Sequence, residues 1–220
     1  MITTLIRLLD EAFVRHRSKA ATRIDGTGGH GSLDIRTRRS SRNTVRYEPT
    51  SIDIALMRRA IELAKKAAAI GEVPIGALVH CDGEIISEAH NFVETNHDPT
   101  GHAEIRAIRH AAERLTERRL NECSLVVTLE PCSMCAGAIV LGRVGRLVYG
   151  ASDPKAGAIQ SVYQICSDQR LNHRPELCGG VLAEDCGRLL SDFFRERRRI
   201  NKERRAGGFK PKTARQRFAS

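Results

Sequence analysis

Across residues 51–199, stretches with helical hydrophobic spacing alternate with strand-like stretches, and this alternation restricts the chain to an α/β layered domain. Ile54, Met57, Ile61, Ala64 and Ala68 recur at helical spacing behind Ser51, which can cap the first turn, and Gly71 ends the segment. Residues 75–81 and 84–89 read as strands around Asp82-Gly83, a hairpin signal. A loop over 91–101 leads to a helix over 102–115, with Ile105, Ile108, Ala111 and Ala112 as its apolar positions. A buried strand follows over 123–129, then a helix over 133–141 and a strand over 146–150. After a loop over 151–157, a short helical stretch is expected at 159–165, a last strand at 177–182 and a helix at 184–199. The last helix carries Leu189, Leu190, Phe193 and Phe194 on its apolar side. The hairpin makes the sheet mixed rather than purely parallel.

Charge is distributed unevenly along the chain. The net charge is +10, with residues 1–50 at +5, residues 51–194 at −4 and residues 195–220 at +9. The expected globular domain is therefore mildly acidic, and the basic ends suit contact with phosphates. Residues 1–50 pattern weakly and read as a disordered basic extension; residues 201–220 read as a basic flexible tail. Neither a secretory signal nor an apolar run of membrane-spanning length is found, which argues for a cytoplasmic protein and no membrane partner. An organelle transit peptide within residues 1–50 stays open. Seven cysteines do not suit a secreted disulfide framework, whereas reduced thiols suit a metal site.

The chemistry concentrates in His102-Ala103-Glu104 and Pro131-Cys132-Ser133-Met134-Cys135. Zinc takes imidazole nitrogen and thiolate ligands, and a catalytic site supplies three of them and leaves the fourth position to water. His102, Cys132 and Cys135 form such a set for one Zn2+ per subunit. Both segments start helices, where unpaired N–H groups and the helix dipole favour thiolates. Glu104, two residues past His102, can reach that water without binding the metal, and so serves as the catalytic acid and base. His-x-Glu followed by Pro-Cys-x-x-Cys is a known signature of zinc deaminases. A structural site that recruits Cys123 or Cys186 as a fourth ligand is the alternative, and it leaves Glu104 without a role. Cys81, Cys123, Cys166, Cys178 and Cys186 read as small buried hydrophobes, and His80, His90, His97 and His110 as surface or hydrogen-bonded histidines.

Residues 52–199 resemble the bacterial tRNA-specific adenosine deaminase family of the cytidine deaminase-like superfamily. The resemblance rests on Glu72-Val73-Pro74-Ile75-Gly76-Ala77, on His97-Asp98-Pro99-Thr100 and on the run from Thr128 through Cys132 and Cys135 to Ala138. Asn172-His173-Arg174 and Leu190-Ser191-Asp192-Phe193-Phe194 add to it. It implies a three-layer α/β/α sandwich with a five-stranded mixed sheet, and a homodimer with tRNA as partner. It also implies that Asn91 contacts the target nucleoside, that Asp153 and Lys155 touch the RNA beside it, and that Phe194 and Arg197 lie near the anticodon stem-loop. Asn91 read from the residues alone can equally cap or turn its loop. Two departures stand out: Gly101, where the family has Ala, loosens the helix start, and Pro154 restricts the loop after Asp153.

The reaction these features imply is hydrolytic deamination of adenosine to inosine at the wobble position of a tRNA anticodon loop, where bases splay out at little cost. A deaminase of a free base or nucleotide shares the metal chemistry but needs no RNA surface. A catalytically dead zinc module that only binds RNA would not need Glu104.

Overall fold

The structure, a computed structural model, describes residues 48–207. The expected basic extension up to residue 47, and the tail from residue 208 onward, lie outside the described residues. The elements run α1 (Ser51–Ala69), β1 (Gly76–Cys81), β2 (Glu84–His90), a one-turn α2 (Val93–Asn96), α3 (Ala103–Leu115), β3 (Cys123–Leu129), α4 (Ser133–Leu141), β4 (Arg146–Ala151), β5 (Glu176–Gly179) and α5 (Ala183–Ala206). They form one five-stranded sheet in the order β2-β1-β3-β4-β5. β1 pairs antiparallel with β2 and β3, and β4 pairs parallel with β3 and β5, so the sheet is mixed as expected.

Alternation along the strands builds the two outer layers. Ala77, Val79, Leu125, Val127, Leu147 and Tyr149 face one side, with Ala103, Ala107 and Ala111 of α3 and Ile139 and Val140 of α4. Leu78, Val126 and Val148 face the other side, with Leu56, Met57, Ala60 and Leu63 of α1 and Cys186 of α5. A strand turns alternate residues to opposite faces, so strands that are apolar at every position must be covered twice. Among the described residues no helix is long and apolar enough to cross a membrane.

Several sequence-based boundaries shift for local reasons. The cap of α1 is Thr50, not Ser51: the Thr50 hydroxyl accepts the Asp53 N–H at 3.1 Å, and Asp53 Oδ2 accepts the Thr50 N–H at 2.7 Å. The buried stripe of α1 is Leu56, Met57, Ala60, Leu63, Ala64 and Ala67, with Ile54, Ile61 and Ala68 only half-buried. It is turned toward Ala60 because the helix presses onto β1, where a Cβ on Gly76 would stand 2.1 Å from the Ala60 carbonyl. On α3 the buried residues are Ala103, Glu104, Ala107 and Ala111, while Ile105, Ile108 and Ala112 lie at the edge. Residues 159–165 form turns, not a helix, and only Ile165–Ser167 closes a 3-10 turn, because the Ile159, Gln160 and Ser161 N–H groups are drawn to Glu130. β5 ends at Gly179, since Gly180 adopts a positive φ of 85°. The last helix runs past residue 200, where the flexible tail was expected, to Ala206. Arg199 bridges Glu196 and Glu203 along it.

Two buried features escaped the sequence. Cys81 and Cys123, read as small buried hydrophobes, face each other in the antiparallel β1/β3 register and are joined by a disulfide with Cα atoms 4.5 Å apart. Asp53, on the apolar face of α1, is 1% exposed. It pairs with Arg146 of β4 through both carboxylate oxygens, at 2.5 and 3.0 Å, and Arg146 reaches Glu176 of β5 at 2.8 Å. Burial pushes the Asp53 carboxyl up, but Arg146 and the Thr50 cap outweigh it and hold the group below its usual range.

Candidate active site

The site forms at one edge of the sheet, where β3 and β4 end and β2 runs out into a loop. This is where open α/β sheets receive ligands. His102 is the N-cap residue of α3, and Cys132 that of α4; neither side chain makes the capping hydrogen bond, so both are free to point into the space between the two helix starts. His102 Nδ1 stands 3.7 Å from Cys132 Sγ and 3.6 Å from Cys135 Sγ. The three ligand atoms lie within 4.8 Å of one another and could hold one metal ion. Cys135 is buried, whereas His102 and Cys132 are half-buried, so the cluster has an inner and an outer side.

Among the described residues no fourth side chain joins this group. Cys123 is tied to Cys81, and Cys186 packs against Gly150 on the other face of the sheet. The two residues that a closed structural site would need are therefore engaged elsewhere. The protons of the cluster are strongly coupled. A hydrogen bond with Cys135 holds the Cys132 thiol far below its ordinary range, while sharing with Cys132 and burial push Cys135 up. The hydrogen bond with Cys132 also raises His102. A cation placed among these atoms takes over the charge balance that the protons hold.

Glu104 sits in the first turn of α3 and is 3% exposed. Its Oε2 is buried and has no hydrogen-bond partner. Burial raises its pKa. An orphaned buried acceptor is costly, and here it lies beside three atoms that could hold a metal ion, a position from which a carboxylate can carry protons.

Loops wall the site on both sides, and each hangs from a buried glutamate. Glu72, fully buried after α1, accepts the Val93 N–H at 3.1 Å and the Thr95 N–H at 2.7 Å, capping α2 from a distance. Asn91, just before α2, is 4% exposed, and its Oδ1 accepts the Ala103 N–H at 3.1 Å. Gly101 does not loosen the helix start. It is buried with its carbonyl on the Phe92 N–H at 2.9 Å, and a Cβ there would stand 2.7 Å from the Phe92 carbonyl. On the other side, Glu130 takes five hydrogen bonds from residues 153–161. Asp153 Oδ1 accepts the Lys155 and Ala156 N–H groups at 2.9 and 3.3 Å, and Lys155 is exposed at the tip. Burial pushes both Glu72 and Glu130 up, but their many N–H and O–H donors win and hold them below the usual carboxylate range.

The structure thus brings Glu104, His102, Cys132, Cys135, Asn91 and the Asp153-Lys155 loop to one edge of the sheet. Phe194 and Arg197 stand apart on α5. Phe194 is 44% exposed and packs edge-on against Phe193, and the Arg197 guanidinium lies 5.8 Å from the Phe193 ring centre. No contact ties either to the cysteine-histidine cluster among the described residues. His90 bonds to the Asn91 carbonyl at 2.8 Å, and His97 and His110 are exposed. His80 differs from its expected role: it is half-buried with neither ring nitrogen hydrogen-bonded. Glu72 and the side chain of Glu130 were missed as site residues, and the one sequence signal was an acid placed inside an apolar motif on each occasion.

Comparison with known proteins gives the same picture from three directions. A match to the MafB19-like deaminase family spans residues 53–198. The tRNA-specific adenosine deaminase of Haemophilus influenzae is 48% identical over 158 residues, 71% of this chain and 91% of its own length. That of Bacillus subtilis is 48% identical over 153 residues, 70% of this chain and 95% of its own. A solved structure from work on A-to-I editing by tRNA:A34 deaminases at the wobble position of transfer RNA superposes with a TM-score of 0.60 at 41% identity. It covers 62% of this chain and 99% of its own.

Proposed function

Since this chain belongs to the MafB19-like deaminase family, and among its members to the tRNA-specific adenosine deaminases, we propose that it converts adenosine to inosine at the wobble position of a tRNA anticodon loop. The observation that carries this reading is the open three-ligand cluster with the unpartnered Glu104 Oε2 beside it.

Zinc, one ion per subunit, is the metal the donor set favours. Zinc–sulfur bonds of about 2.3 Å and zinc–nitrogen bonds of about 2.0 Å at tetrahedral angles put sulfur and nitrogen about 3.5 Å apart. The separations here are 3.6 and 3.7 Å. His102, Cys132 and Cys135 would hold the ion, and it supplies the Lewis acidity that makes water nucleophilic near neutral pH.

The chain's own residues do the rest. The water oxygen bonds to C6 of the adenine ring, and Glu104 takes the proton released and passes it to N1. Glu104 then takes the proton of the new C6 hydroxyl and gives it to the departing nitrogen as the C6–amine bond breaks, so that ammonia leaves and the inosine carbonyl remains. Burial of Glu104 keeps bulk water from competing for that proton. Asn91 has its Oδ1 committed to Ala103, so its amide N–H groups are what it offers the nucleoside. Asp153 shapes the loop that presents Lys155 to the RNA backbone, and Phe194 and Arg197 meet the anticodon stem-loop from α5. The cations of α5 add attraction for phosphates.

We place the protein in the cytoplasm as a homodimer, with a catalytic domain over residues 51–200 between basic ends. Leu141, Val162 and Tyr163 are among the exposed apolar side chains of the described residues that a second copy would cover. The test is inosine formation in a tRNA substrate compared with ammonia release from free adenosine, guanine and cytosine.

A further inference from the structure

Glu130 stands immediately before Pro131 and Cys132, 2% exposed, and spends its whole carboxylate on one loop. Oε1 accepts the N–H groups of Ile159, Gln160 and Ser161 at 3.1, 2.8 and 2.9 Å. Oε2 accepts the Asp153 N–H at 3.0 Å and the Ser161 hydroxyl. These donors bracket the loop at both ends. Between them the loop closes on the ligand segment: Gly157 pairs with Cys132, and the Ala158 N–H donates to the Pro131 carbonyl at 2.8 Å. There is no slack, since a Cβ on Gly157 would stand 2.4 Å from Glu130 Cδ. Among the described residues the Glu130 carboxylate bonds to the loop and not to His102, Cys132, Cys135 or Glu104, so its effect on the site passes through the loop.

We propose that Glu130 is a positioning residue that registers the 153–161 loop against the metal-ligand segment, and so sets the wall that receives RNA beside the target base. This rests on the tRNA deaminase reading. The physical reason is that only a carboxylate offers acceptors alone. A glutamine amide would turn its NH2 either on the Asp153 N–H and Ser161 side or on the three N–H groups of the other side. A donor would then face a donor at one end of the loop.

The test uses the full-length zinc-loaded protein and an anticodon stem-loop RNA with adenosine at the wobble position. In Glu130→Gln, zinc content and kcat are expected to hold within about threefold while KM rises about tenfold, the effect of leaving one buried donor unpaired. Lys155→Ala raises KM in the native background but adds little in Glu130→Gln, because the loop no longer presents Lys155; such coupling is what a double-mutant cycle reads. Ser161→Ala removes one hydroxyl donor and raises KM about two- to threefold, and it decides the matter if Glu130→Gln does not fold. An unchanged KM in Glu130→Gln, or in Ser161→Ala where that is the variant available, overturns the proposal, as does a Lys155 effect that adds in full. If Lys155→Ala alone changes nothing while Glu130→Gln raises KM, the positioning role stands and the RNA contact at Lys155 fails. If the native protein deaminates only a free base, the tRNA reading fails. Glu130 is then judged by KM for that base, with a rise supporting it and no change overturning it.

Discussion

Asn91 Oδ1 accepts the Ala103 backbone N–H at 3.1 Å, so the residue that leaves β2 also fixes the start of the helix that follows His102. The two readings of Asn91 from sequence, loop cap and nucleoside contact, are therefore compatible in one side chain. Asn91→Ala is expected to lower stability by about 1 kcal/mol, the usual cost of a lost cap. It should lower deamination further than that loss of fold explains. Thermal melting and turnover measured on the same preparation check both parts; a stability loss with full activity would leave only the cap.

Glu104 is predicted to carry protons and not the metal. Glu104→Ala should retain zinc, read by elemental analysis, and lose about 10²–10⁴-fold in kcat. Cys132→Ala should do the reverse and fail to hold zinc. Turnover retained without the Glu104 carboxylate would reject the acid-base role.

The Asp53–Arg146 pair is predicted to be costly to break. Asp53 is 1% exposed and joins α1 to β4. Asp53→Ala leaves Arg146 partly buried without its main counter-charge and should cost about 3–5 kcal/mol. Urea denaturation measures it.

Stability should fall toward acid in two stages. His80 is lowered from 6.5, chiefly by burial, so the unfolded chain takes up that proton first, and stability begins to fall as pH drops below about 6.5. Asp53, Glu72 and Glu130 are all held below the usual carboxylate range. Their contribution is complete above the unfolded values near 4 and is lost as pH falls through the lower folded ones. Melting temperatures across pH 3 to 8 should show both stages, and His80→Gln should flatten the upper one.

RNA binding should weaken with salt. Arg198, Lys202 and Arg205 recur at helical spacing on exposed turns of α5, whereas Arg195 and Arg199 are paired with Asp192, Glu196 and Glu203. Each phosphate contact to a single strand contributes about −0.7 to the slope of log affinity against log salt. Replacing the three cations together should make that slope shallower, and an unchanged slope would remove α5 from the interface.

Most of the layer order was legible because the helices carry their own apolar period and the central strands read as short apolar runs between turn signals. The closeness of His102, Cys132 and Cys135 was legible because all three sit at helix starts whose positions the sequence marks. What was hidden depends on partners far along the chain. The Cys81–Cys123 disulfide needs the register of β1 on β3, which no local pattern fixes. The loop over 159–165 has helical spacing, but three successive N–H groups bond to Glu130 some thirty residues earlier, and that overrides local preference. Asp53 stands in the first turn of α1, where an acid suits the helix dipole, and its burial shows only once Arg146 arrives from β4.

Mass spectrometry of tRNA nucleosides, before and after incubation with the purified zinc-loaded protein, tests the central claim most directly. The account predicts that adenosine at the wobble position is replaced by inosine, with one ammonia released per conversion. Wobble adenosine left intact by a protein that holds its zinc and deaminates a free base would contradict it.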